Sequence, residues 1–231
     1  MYMYNHRGVQ LNMAEQSLLH LACKNGHYQT VETLLNHEYD VNETDDEGFT
    51  PLMLACLYGH TDIAILLLSR GAQVNMQANN GGSALMLASQ TGHSDVVKIL
   101  IEKGAQVNMQ ANGGFSALMG ASQNGHRDVV KVLIEKGAQV NMQKNDEWCA
   151  LMLASQNGHS DVVKILIENG AQVNMQKNNG GSALMLASQT GHSDVVKILI
   201  EKGAQVNMQD NNVWSALMIA SYKGHNDVVK V

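Results

Sequence analysis

The sequence predicts an all-α solenoid, a stack of short helix pairs, and three observations predict it. The dipeptide Gly-His recurs at Gly26-His27, Gly59-His60, Gly92-His93, Gly125-His126, Gly158-His159, Gly191-His192 and Gly224-His225, each 33 residues after the last. Twenty-eight letters, SALMLASQTGHSDVVKILIEKGAQVNMQ, stand at 83–110 and again at 182–209, three such periods apart. Aromatics are 4% of the 231 residues against 45% apolar residues, so the core must be built from Ala, Val, Ile, Leu and Met, as flat stacked helices are. Self-similarity at this period replaces domain counting with repeat counting, and seven marks mean seven units.

Each unit reads as helix, tight turn, helix and extended tip. In the third, Ser83 caps a first helix carrying Ala84, Leu85, Met86, Leu87 and Ala88, and Gly92 suits the left-handed position past its end. A longer second helix follows, with Val96, Val97, Leu100 and Ile101 at helical spacing, Asp95 in its first turn and Lys103 before Gly104. The segment AQVNMQANNGG concentrates Asn and Gly and turns back through a hairpin-like tip. Neither helix buries its face alone, so the units must stack.

The residues Thr50-Pro51-Leu52-Met53-Leu54-Ala55, Gly59-His60 and Gly71-Ala72-Gln73-Val74-Asn75 closely resemble the ankyrin repeat, and the resemblance runs through all seven units. It implies an ankyrin-type α-solenoid whose concave face and finger tips grip protein partners. The family's Thr-Pro-Leu-His survives whole in no unit: Ser17-Leu18-Leu19-His20 keeps the His, Thr50-Pro51-Leu52-Met53 keeps Thr and Pro, and five later units have Ala-Leu-Met after Ser or, at Cys149, Cys. Loss of the Thr and His pair removes a polar bridge between units, and Met86, Met119, Met152, Met185 and Met218 are expected to fill the space. Cys149 should cap more weakly than Ser. Arg7-Gly8-Val9-Gln10-Leu11-Asn12 resembles Arg70-Gly71-Ala72-Gln73-Val74-Asn75, so 1–12 reads as the remnant of a preceding repeat and 13–231 as the array, its last unit cut short at Val231.

Charge is distributed unevenly. The net charge is −6 overall, and residues 1–51 carry all of it, with Glu15, Glu32, Glu38, Asp40, Glu43, Asp45, Asp46 and Glu47 against Arg7 and Lys24. With no Lys/Arg run, a nucleic-acid or anionic-membrane surface is not expected. Cys23, Cys56 and Cys149 form no metal pair or disulfide framework and read as reduced thiols, the first two as small fillers in the register of Ser89, Ser122, Ser155, Ser188 and Ser221. No apolar run reaches the roughly 18 residues of a membrane span, and MYMYNHRG does not resemble a signal peptide. The expectation is an intracellular, cytoplasmic protein with no membrane insertion.

Chemistry is not legible in these letters. Seven of the ten histidines are the Gly-His marks, expected to hydrogen-bond the inter-helix turn, because helices about 8–10 Å apart keep neighbours from sharing one zinc ion. No hydrolase, phosphate-loop or dinucleotide motif occurs, so neither cofactor nor catalytic residue is expected. Asn42 is different. An asparaginyl hydroxylase acting on ankyrin-type repeats prefers an acid two places before its Asn and a Leu eight before, and Leu34, Asp40 and Val41 supply that setting, whereas Gln73 replaces the acid before Asn75.

Function belongs where the repeats differ. The residue before each cap is Phe49, Gly82, Phe115, Trp148, Gly181 and Trp214, and these four rings are all the Phe and Trp in the chain. Tyr58 and Tyr222 fall in the variable positions before Gly-His. Rings at one register make an interaction surface, and the acidic tip Asp45, Asp46 and Glu47 could add attraction for a basic segment. At two tips Glu147 and Val213 replace the glycine seen at Gly48, Gly81, Gly114 and Gly180; if that glycine needs positive φ, these tips must change shape. The function expected is a non-catalytic scaffold that binds an extended or helical protein partner. The alternative is a targeting or regulatory arm of a larger enzyme or channel.

Overall fold

A computed structural model describes residues 17–231, and the remnant expected at 1–12 lies outside the described residues. The described chain is seven helix pairs in sequence: α1 (Leu18–Lys24) with α2 (Tyr28–Asn36), α3 (Pro51–Leu57) with α4 (Thr61–Ser69), α5 (Ala84–Thr91) with α6 (Ser94–Glu102), α7 (Ala117–Gln123) with α8 (Arg127–Glu135), α9 (Ala150–Gln156) with α10 (Ser160–Glu168), α11 (Ala183–Thr190) with α12 (Ser193–Glu201), and α13 (Ala216–Lys223) with α14 (Asn226–Lys230). Each first helix packs on the first helices of its neighbours, and each second helix on the second, giving two parallel rows.

Local chemistry explains where each helix starts. The hydroxyls of Ser17, Thr50, Ser83, Ser116, Ser182 and Ser215 each accept a hydrogen bond from the backbone N–H three residues on, satisfying a donor that the helix leaves open. Cys149 makes no such bond, as its chemistry predicts. The second helices have no side-chain cap. From α4 onward each carries an Asp in the first turn, where the helix dipole favours a negative charge.

Burial follows the helical spacing. Leu85, Met86 and Ala88 of α5 meet Val96, Val97 and Leu100 of α6 in one continuous core that runs the length of the stack. Met53, Met86, Met119, Met152 and Met185 fill the expected space and are buried. Met218 does not. Leu217 is 56% exposed where Leu184, packed between α9 and α13, is 3% exposed. The hydroxyls of Ser89, Ser122, Ser155 and Ser188 are buried without a hydrogen-bond partner, and Cys23 and Cys56 occupy the same register as fully buried thiols. Burial, with Glu43's charge adding to it, pushes the Cys23 thiol up to about 12. Desolvation raises Cys56 and Cys149 too, so these thiols are inert fillers.

Two polar columns run along the joints between units, a histidine at all six and an asparagine at the first five. The Gly-His histidines bond the preceding unit rather than their own turn: Nε2 of His60, His93, His126, His159, His192 and His225 donates to the carbonyls of Lys24, Leu57, Gln90, Gln123, Gln156 and Gln189 at 2.9–3.3 Å. On the loop side, Asn42 Oδ1 accepts from Gln73 N–H at 2.8 Å and its Nδ2 donates to Gly71 O, and Asn75, Asn108, Asn141 and Asn174 repeat the pattern. Each such bond contributes about 1 kcal/mol net. The first joint has one bond more, from His20 Nε2 to Phe49 O at 2.8 Å, and the other units, having Met at that position, lack it.

Candidate protein-binding surface

Tips are built by short-range turns. Within the hairpin, Gln77, Gln110, Gln143, Gln176 and Gln209 pair with the cap residues Ser83, Ser116, Cys149, Ser182 and Ser215. Asp45 Oδ1 accepts from Phe49 N–H at 2.8 Å and Glu47 N–H at 3.1 Å, and Asp210 does the same for Trp214 and Asn212 at 2.9 Å each. Asp45 is thus committed to holding its own turn. The exposed acids at this tip are Asp46 and Glu47.

Glu147 and Val213 do not reshape their tips. Both adopt the left-handed backbone themselves, at φ 64° and 66°, and keep the same closing bonds, Glu147 N–H to Lys144 O at 2.8 Å and Val213 N–H to Asp210 O at 2.9 Å. For a β-branched residue this conformation is strained.

The ring column splits into different environments. Phe49 is only 8% exposed, which corrects the expectation of an exposed ring: it joins the hydrophobic core. Phe115 is half-buried over Gly120, its Cε1 3.4 Å from where a Cβ on that glycine would stand. Gly120 replaces the leucine found at Leu54, Leu87, Leu153 and Leu186, so the ring fills a hole in its own helix. Trp148 is half-buried too, with Lys177 Nζ 4.4 Å and Lys144 Nζ 5.9 Å from its ring centroid. Desolvation lowers the Lys177 ammonium below its usual range, Asp146 partly opposing this and Lys144 adding to it. Trp214 is 38% and Tyr222 75% exposed, and they meet edge to face at 5.4 Å. Tyr58, 42% exposed, lies over His60 with centroids 6.4 Å apart.

Sequence reasoning missed two features at this surface. Lys144 and Lys177 are the only lysines in a column that otherwise reads Asp45, Ala78, Ala111 and Asp210, and both reach Trp148. The exposed apolar group of Val213, Leu217 and Met218 in the seventh unit was also missed. No group of three or more His, Cys, Asp or Glu among the described residues is placed to hold a metal ion. Among the same residues, no helix is long and apolar enough to cross a membrane.

Comparison with known proteins agrees with this geometry. A family model described as ankyrin repeats (3 copies) matches residues 2–78, 70–144, 109–177 and 151–231. Among solved structures, the crystal structure of human ASB11 ankyrin repeat domain superposes with a TM-score of 0.84 at 27% identity, covering 91% of this chain and 96% of that one. In all, 643 solved chains match, so shape alone does not single out a partner. A search of curated proteins finds no match.

Proposed function

The chain belongs to the ankyrin repeat family, whose repeats are in general protein-interaction modules, and from that premise we propose that it is a non-catalytic scaffold that binds a protein partner along its concave groove and tips. One observation carries the reading. In an array that buries most of its apolar side chains, Trp148 stands half-buried in mid-array between Lys144 and Lys177, with Trp214 and Tyr222 in the seventh unit, and binding hot spots are rich in these residues. Tyr58 continues the aromatic set toward the N-terminus, and Phe115 adds the edge of a ring. Phe49 contributes through the shape of its tip.

The rings lie in different units, so the partner is an extended peptide or a helix lying along the groove. Asp46 and Glu47, with Asp45 behind them, attract a basic segment at the N-terminal end, an effect that weakens as salt rises. Asn42 is the residue we assign to hydroxylation.

The test is titration of a peptide selected on the intact array, with thermal melts alongside. Trp148→Ala should lose about 2 kcal/mol of binding, roughly thirtyfold in affinity, and leave the fold intact, while Gln156→Ala on the same unit changes affinity little. A Trp148→Ala protein that melts early yet binds normally would make the ring a prop.

A further inference from the structure

The finger tips of adjacent units are laced together at every joint from unit 2 to unit 7 except one. Between units 2 and 3, Asn79 N–H donates to Glu47 O at 3.0 Å and its Nδ2 to Asp46 O at 2.8 Å. Between units 3 and 4, Asn112 N–H reaches Asn80 O at 2.9 Å, with its Nδ2 on Asn79 O and Gln77 Nε2 on Gln110 O. The joint of units 4 and 5 has Asn145 N–H on Gly113 O at 2.8 Å and Gln110 Nε2 on Gln143 O. That of units 6 and 7 has all three, Asn211 N–H on Asn179 O, its Nδ2 on Asn178 O, and Gln176 Nε2 on Gln209 O. Between units 5 and 6 the corresponding donors would be Asn178 N–H, Asn178 Nδ2 and Gln143 Nε2, and none of them reaches the neighbouring tip's backbone.

The cause lies at one atom. A Cβ added at Gly48, Gly81, Gly114 or Gly180 would stand 2.5–2.8 Å from the backbone of the following tip or from an Asn side chain on it. Glu147 has that Cβ, and unlike Val213 it has a tip following it. At this joint side chains take the place of the backbone bonds: with its amide turned to face the carboxylate, Asn178 Nδ2 donates to Glu147 at 2.7 and 3.2 Å, and Lys177 covers Trp148. The other ends of the joint stay fastened, by Asn174 to Gly203 O at 3.1 Å and Gln205 N–H at 2.9 Å and by His192 to Gln156 O at 3.1 Å.

We propose that the joint of units 5 and 6 is a hinge built into the array, at which the tips part while the loop and turn contacts act as the pivot, and that the Cβ of Glu147 creates it. Units 1 to 5 and units 6 and 7 then move as two bodies, and the width of the groove varies at Trp148. This holds whether or not the groove binds a partner.

Two measurements on the full chain test it, amide hydrogen exchange and the distance between spin labels on Asp46→Cys and Asn212→Cys, exposed residues on either side of the hinge. The native thiols are buried and stay unlabelled. The Asn178 amide should exchange at least about tenfold faster than those of Asn145 and Asn211, and the label distances should be broadly spread. Glu147→Gly should slow Asn178 to the rate of its counterparts and narrow the spread, whereas Glu147→Ala, which keeps the Cβ, should do neither. The proposal is overturned by an Asn178 amide as protected as Asn211 in the parent protein. It is equally overturned if Glu147→Gly leaves the distances unchanged, or if Glu147→Ala narrows them as much as glycine does.

Discussion

Asn42 spans two units with one side chain, and its backbone distinguishes it from its counterparts. Its amide holds Gly71 and Gln73 as Asn75 holds Gly104 and Gln106, but its own N–H also donates to Asp40 Oδ1 at 2.9 Å, a bond that a glutamine at that position does not make in the later units. If the acid marks the residue for modification, treatment with the asparaginyl hydroxylase adds one oxygen at Asn42 and none at Asn75 or Asn108. Mass spectrometry that finds equal oxygen in all units removes the acid's role. Single residues are also where the letters were least informative. The replacement of glycine by Glu147 and Val213 was plain in the sequence, and a changed tip was the natural expectation. The tip kept its shape because a left-handed backbone costs about 1–2 kcal/mol for a non-glycine residue. Giving up the turn bond and the pairing of Gln143 with Cys149 would cost as much or more.

Among the leading helices of the seven pairs, α9 alone starts without a side-chain cap. It packs into the same core as α7 and α11, so tertiary contact, rather than its own N-terminus, holds it in place. Replacing Cys149 by Ser, the residue at five other starts in this array, should restore the bond to Met152 N–H and stabilise the protein by about 1 kcal/mol. A rise in the denaturation midpoint with unchanged helicity is the outcome to look for, and no rise would mean that the buried thiol packs well enough to offset the missing bond. Helix α7 is a different case. Its Gly120 weakens a helix interior by about 0.5–1 kcal/mol relative to alanine, and Phe115 folds back to cover the gap. Both letters were visible, but their contact depends on how the tip lies over the helix, which spacing does not specify.

Seven Gly-His marks were enough to read the whole architecture, because the same columns recur from joint to joint: a histidine reaching back one unit at all six and an asparagine reaching forward one at the first five. The surface was harder to read, since exposure depends on the neighbour as well as on the residue. Phe49 and Trp214 share a register, yet the first is 8% exposed and the second 38%. A stack held by nearest-neighbour contacts loses stability in steps. Ending the chain after Gly203 should therefore leave a folded, helical protein that melts earlier, with Leu184 and Met185 as its new exposed end. A circular dichroism spectrum that collapses under stabilising conditions would show that the last unit is indispensable.

The two copies of SALMLASQTGHSDVVKILIEKGAQVNMQ bear on how such a molecule changes over generations. Leu85 and Leu184 are buried alike, as are Val96 and Val195. A gene that lost the codons between Gln110 and Asp210 would bring unit 7 against residues that, over those twenty-eight letters, are identical to its present neighbours. Such a deletion demands no new packing. It would remove Phe115, Trp148 and the loosened tip joint in one event and keep Trp214 and Tyr222. The set of surface rings can thus be edited by recombination in whole periods, without passing through an unfolded ancestor.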